Sequence, residues 1–172
     1  MIYVKSKIRL FLYKYTPIIL LFLSILNEID FNNLGLKYFS FNFSYILIFY
    51  YTLKRTESLG YIYIFIAGLF NDIIIGVPMG ISSLSYLLLC AATAYLKNIT
   101  LRPNLIKDWI FFLITISFLN FVSYTVLMLI FEYEVSYFAQ IINITFTFLL
   151  YLVFSYLFNF YDNLLLGKFN VR

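Results

Sequence analysis

The sequence predicts an all-α fold: a polytopic membrane helix bundle of six transmembrane helices, with both ends of the chain in the cytoplasm. Three observations predict it. They are an apolar excess that no small core could hide, six apolar runs near membrane length, and a one-sided distribution of basic residues. The 172 residues are 63% hydrophobic and 23% aromatic, with only 12% charged, against about a quarter charged in an ordinary soluble domain. A compact chain of this size still exposes much of its surface. Lipid is the solvent that such a surface asks for, and the length suits one transmembrane domain over residues 1–172.

Crossing the hydrocarbon core takes about 20 apolar residues. The runs fall at Leu10–Asn27, Tyr38–Leu53, Leu59–Ile75, Ile81–Leu96, Trp109–Phe131 and Tyr137–Phe160. The first has a basic start, as a signal peptide does. It ends in Asn27-Glu28-Ile29-Asp30 with no small-x-small site, so it is expected to stay as an uncleaved span. The second is the weakest, and its core Phe41–Leu53 also suits a tilted or partly inserted helix. Short spans are accommodated by bilayer thinning or snorkelling flanks. The last two are long enough without such help.

Six spans put Lys5, Lys7, Arg9, Lys14, Lys54, Arg55, Lys97, Arg102, Lys107, Lys168 and Arg172 on one side and Lys37 alone on the other. Basic residues in short loops mark the cytoplasmic side, so the eleven face in. The outer connections carry Glu28, Asp30, Glu132 and Glu134, the last two expected to be solvated. Tyrosines and Trp109 near the span ends suit the membrane–water boundary. The net charge of +4 lies between apolar runs and sets orientation; it is no signal for nucleic acid.

Composition also limits the chemistry. Histidine is absent, which removes imidazole acid–base catalysis, imidazole metal ligation and a Ser-His-Asp arrangement. Cys90 is the one cysteine and lies in an apolar run, where a small packing role is expected. Neither a catalytic set nor a cofactor or metal site is expected.

Asp72 is the one acidic residue well inside an apolar run, in Phe70-Asn71-Asp72-Ile73-Ile74-Ile75. A carboxylate within a membrane span is costly and needs a partner. Backbone N–H groups around Gly80, Ile81 and Ser82, where the next helix begins, are the nearest donors in sequence, and a helix N-terminus favours an anion. Asp72 would then brace a helical hairpin. The alternative is that it contacts a partner or ligand in the membrane. In Gly68-x3-Asp72-x3-Gly76-x3-Gly80 the first three share one helix face. Small residues at that spacing let helices approach closely in lipid, and Gly76 and Gly80 flank a tight turn. Pro78, in Val77-Pro78-Met79, stops one helix before the next.

The segment Gly68-Leu69-Phe70-Asn71-Asp72-Ile73-Ile74-Ile75-Gly76-Val77-Pro78-Met79-Gly80-Ile81 resembles the central signature of the MreD family, bacterial rod-shape-determining membrane proteins. The likeness extends through the preceding helix and to Tyr95-Leu96. At the second span, Ser40-Phe41-Asn42-Phe43 keeps the family's Asn and lacks its Pro. The resemblance implies a non-enzymatic scaffold of lateral wall synthesis (the elongasome) in the bacterial cytoplasmic, or inner, membrane. Its implied partners are an MreC-like membrane protein, a RodA-type glycosyltransferase, a class B penicillin-binding protein, MreB-like filaments and membrane lipid. It also implies a fold similar to the six-helix substrate-binding subunits of energy-coupling-factor transporters, although fold alone does not carry function.

Asn120, Gln140 and Asn143 are the remaining amides inside spans. Ser117, Asn120 and Ser123 share one face of the fifth helix, and Gln140, Asn143 and Thr147 one face of the sixth. They are expected to join those two helices by hydrogen bonds; a polar transport cavity is the competing reading. That reading would make the chain a small-molecule, vitamin-like binding subunit of an energy-coupling-factor transporter. Such a subunit wants small residues on its first helix, where Thr16–Ile25 is bulky throughout. A membrane enzyme would need a nucleophile–base pair or a metal cluster, which these residues do not supply.

Overall fold

The computed structural model describes residues 2–26, 41–55, 58–100, 104–133 and 136–165. Among them are six helices: α1 (Ile2–Leu26), α2 (Phe43–Lys54), α3 (Tyr61–Ile75), α4 (Ile81–Ile99), α5 (Leu105–Phe131) and α6 (Tyr137–Leu165). No strand occurs among the described residues. Glu28, Asp30, Lys37, Ser40, Arg102, Glu134, Lys168 and Arg172 lie outside them, as does the start of the second predicted span at Tyr38.

α5 and α6, at 27 and 29 residues, are long and apolar enough to cross a membrane on length and composition. Both run four or five residues beyond their predicted apolar runs. The helix continues into ends that carry Lys107, Asp108 and Asp162, which hydropathy does not count. Their outward faces are large and apolar: Ile110, Ile114, Phe118, Phe121 and Leu129 on α5, and Ile141, Leu149, Val153 and Tyr156 on α6.

The expected weak second run forms the centre of the molecule. α2 has only 12 residues, about 18 Å of helix. Every residue from Ser44 to Thr52 is buried. α1, α4 and α6 pack around it, and Phe49 reaches Phe112 of α5 with ring centroids 4.8 Å apart. An enclosed helix has no polar face to keep outside, so its consecutive Ile, Leu, Phe and Tyr side chains all find neighbours. Asn42 caps its start: Oδ1 accepts from Tyr45 N–H at 3.0 Å, and Asn42 N–H donates to Thr147 Oγ1 of α6 at 2.9 Å. Ser24 of α1 and Ser44 of α2 share a buried hydrogen bond of 2.6 Å.

The other end of α2 is held by charge. Arg55 donates from Nη2 to Asp162 Oδ1 of α6 at 2.7 Å, and from Nη1 to the Tyr13 carbonyl of α1 at 2.8 Å. That carbonyl is free for a reason written in the sequence. α1 continues through Pro17, and proline has no N–H to return to the residue four before it. A neighbouring helix re-satisfies the freed group, as interiors poor in water require. The guanidinium also stacks on the Tyr13 ring, 3.8 Å from its centroid.

Candidate functional site

The α3–α4 hairpin contains Gly68, Asp72, Gly76 and Gly80, and the structure gives each a separate task. α3 ends because Gly76 adopts φ +76°, a left-handed conformation that costs residues with a Cβ about 1–2 kcal/mol. Gly76 N–H and Val77 N–H both donate to the Asp72 carbonyl, at 3.0 and 3.1 Å. Pro78 follows, and Gly80 at φ +107° turns the chain into α4.

The Asp72 side chain closes the turn from inside. It has no exposed surface. Oδ2 accepts from Gly80 N–H at 2.7 Å and Oδ1 from Ser82 N–H at 2.9 Å. These are orphan donors at the start of α4, the place where a carboxylate gains most from backbone hydrogen bonds and the helix dipole. Both oxygens are occupied within the hairpin, so the carboxylate acts as a brace between its two helices. Beside it, Asn71 Nδ2 donates to Ser82 Oγ at 3.0 Å, and Ser83 Oγ donates to the Phe65 carbonyl at 3.1 Å. Tyr133, just beyond α5, donates its hydroxyl to the Gly76 carbonyl at 2.8 Å and latches the α5–α6 connection onto the turn.

The glycines divide into two kinds, which corrects the expectation that Gly76 serves helix approach as Gly68 does. Only Gly68 does so: a Cβ there would run into Ser83 Cα and come within 2.6 Å of Ser83 N. At Gly76 and Gly80 a Cβ would meet nothing within 4 Å. Those two are glycine for their positive φ. Four-residue spacing fixes a face only while the helix lasts, and α3 ends at Ile75.

The amides of α5 and α6 also depart from expectation. Asn120 Nδ2 donates to the Ile116 carbonyl of its own helix at 2.9 Å. Ser123 joins α5 to α4 through Ser85, at 2.7 Å, whereas α6 had been the expected partner. Thr147 bonds the Asn143 carbonyl at 2.7 Å and receives Asn42 at the start of α2. Gln140 is half-buried in the first turn of α6. α5 meets α6 through Trp109, stacked on Phe148 with centroids 4.2 Å apart and donating from Nε1 to the Phe148 carbonyl at 2.9 Å, and through Phe112 against Tyr151 at 4.7 Å. Shared helix faces can be read from spacing; which neighbour a face meets cannot. Cys90 is buried, its Sγ 3.5 Å from Thr52 Oγ1. Among the described residues, no group of three His, Cys, Asp or Glu stands where it could hold a metal ion.

Sequence reading missed the Arg55–Asp162 pair and the Tyr133 latch. Pro17 is the one signal for the first, since it announces a free carbonyl at Tyr13; nothing local to Asp162 or Tyr133 names its partner.

Fold and hairpin together define a helical protein with two membrane-length helices, built around an enclosed short helix and a carboxylate-braced turn. No family model, curated protein or solved structure matches the chain.

Proposed function

We propose that this chain is a non-enzymatic scaffold of the MreD type. It sits as a six-span bundle in the bacterial cytoplasmic membrane, both termini inside, and serves the wall-elongation machinery that maintains rod shape. An MreC-like membrane protein is its direct partner. A RodA-type glycosyltransferase, a class B penicillin-binding protein and MreB-like filaments form the wider assembly. The observation that carries the reading is the Gly68–Gly80 hairpin. The residues on which the resemblance rests are those that shape one rigid turn, and its single carboxylate is held by two backbone N–H groups rather than offered to a substrate. Rigidity without a reactive group is what a scaffold needs. The eleven-to-one distribution of basic residues supports the six-span orientation.

The test is depletion of the protein in the bacterium that carries it, with affinity retrieval of a tagged copy. Cells should lose rod shape, and an MreC-like protein should be retrieved from detergent extracts. Rods that persist at full depletion, with no such protein retrieved, would sink the reading. The purified chain alone should neither hydrolyse nor transfer wall precursors; turnover abolished by one substitution would make it an enzyme.

A further inference from the structure

We infer that the tip of the α3–α4 hairpin, residues 76–80, is buried among lipid acyl chains below the water boundary, rather than exposed to the aqueous phase. This rests on the membrane placement proposed above, and three observations carry it.

The first is length. α3 has 15 residues, about 22 Å of helix, against a hydrocarbon core of about 30 Å. α4 has 16 residues between its start and the first cation, Lys97, about 24 Å. α5 rises past the start of α4, and Tyr133 beyond its end still reaches the turn. Ser85 and Ser123 are bonded; α4 begins four residues above Ser85, whereas α5 continues eight residues above Ser123. These are about 6 and 12 Å along the respective helix axes.

The second is that protein groups take up several of the turn's own backbone donors and one of its carbonyls. In hydrocarbon, non-helical backbone is tolerated only where protein groups replace water. Gly76 and Val77 donate to the Asp72 carbonyl. Gly80 and Ser82 donate to its carboxylate. Pro78 has no N–H, and the Tyr133 hydroxyl covers the Gly76 carbonyl. Such caps also occur in water, but in hydrocarbon they are a requirement, and the turn meets it at these groups.

The third is the distribution of apolar surface. Ile73, Ile74, Ile75 and Met79 are all exposed, Met79 to 71%. Three consecutive exposed residues on a helix sweep about 200° of its circumference. A protein partner covers one side; a surface apolar on several sides suits a solvent that surrounds it. No charged residue occurs from Ile73 to Leu96.

The test places a bimane fluorophore on Met79→Cys in full-length Cys90→Ala protein, with Glu132→Cys as the control on the same side of the bundle. Both are reconstituted into phosphatidylethanolamine–phosphatidylglycerol vesicles. Brominated acyl chains should quench position 79 strongly, and aqueous iodide should quench it several-fold less than position 132. Iodide quenching at 79 equal to that at 132 puts the tip in water and overturns the inference. Shielding from both quenchers means that protein covers the tip, and overturns it too. Carbonate washing of the same vesicles reads membrane placement separately. Protein washed off overturns the membrane reading and this inference together, whereas retained protein with an iodide-quenched tip overturns this inference alone.

Discussion

Asparagine at position 72 would keep the size of the aspartate and lose one of its two acceptors. Its amide NH2 would then face the N–H of Gly80 or Ser82, donor against donor. The expected loss is about 1–3 kcal/mol, read as a lower melting temperature in detergent and lower membrane abundance for Asp72→Asn. The glycines predict a contrast. Gly76→Asn should stay close to wild type, because asparagine tolerates the left-handed conformation and meets no neighbour there. Gly68→Ala should be the damaging change, losing about 1–3 kcal/mol as its methyl meets Ser83 backbone. If Gly76→Asn melts as low as Gly68→Ala, the division between conformational and packing glycines is wrong.

Among the elements, α2 shows where a sequence is least legible. Hydropathy measures what a segment is made of, and a bundle places segments by what surrounds them. α5 and α6 were evident because each presents apolar side chains outward over a full membrane thickness. α2 is short, begins late, and is central only because other helices enclose it. The Asp72 brace was legible because a carboxylate and a helix start lie within ten residues of each other; the Arg55–Asp162 pair spans 107. Removing one member of a largely buried pair strands the other, so Asp162→Leu should destabilise by about 3 kcal/mol. The link to Pro17 gives a sharper test. Arg55→Leu leaves the Tyr13 carbonyl without its donor, and Pro17→Ala would restore an N–H within α1. Pro17→Ala should therefore recover about 1 kcal/mol in the Arg55→Leu background beyond any gain it gives alone. Equal gains in both backgrounds would dissolve the link, since coupled sites are non-additive.

For the whole molecule the governing quantity is orientation. Lys107 lies in the first turn of α5, and Glu132 caps the far end of that helix at φ 54°. The basic residues predict that a cysteine at 107 faces the cytoplasm and one at 132 faces out. An impermeant maleimide applied to intact cells should modify Glu132→Cys and spare Lys107→Cys until the cells are opened. The reverse pattern would invert the bundle, and labelling of both in intact cells would break it.

The enclosure of α2 also sets a timetable for synthesis. A segment that emerges early cannot take a protein-enclosed position before the helices that enclose it exist, and Asp162 follows Arg55 by 107 residues. At about 5–20 residues per second, the ribosome delivers the countercharge roughly 5 to 20 seconds after the arginine. For that interval α2 cannot hold its enclosed position, and Arg55 has no Asp162 to pair with. A chain released before α6 is made would carry Arg55 without Asp162, its α2 lacking both its countercharge and one of the helices that enclose it.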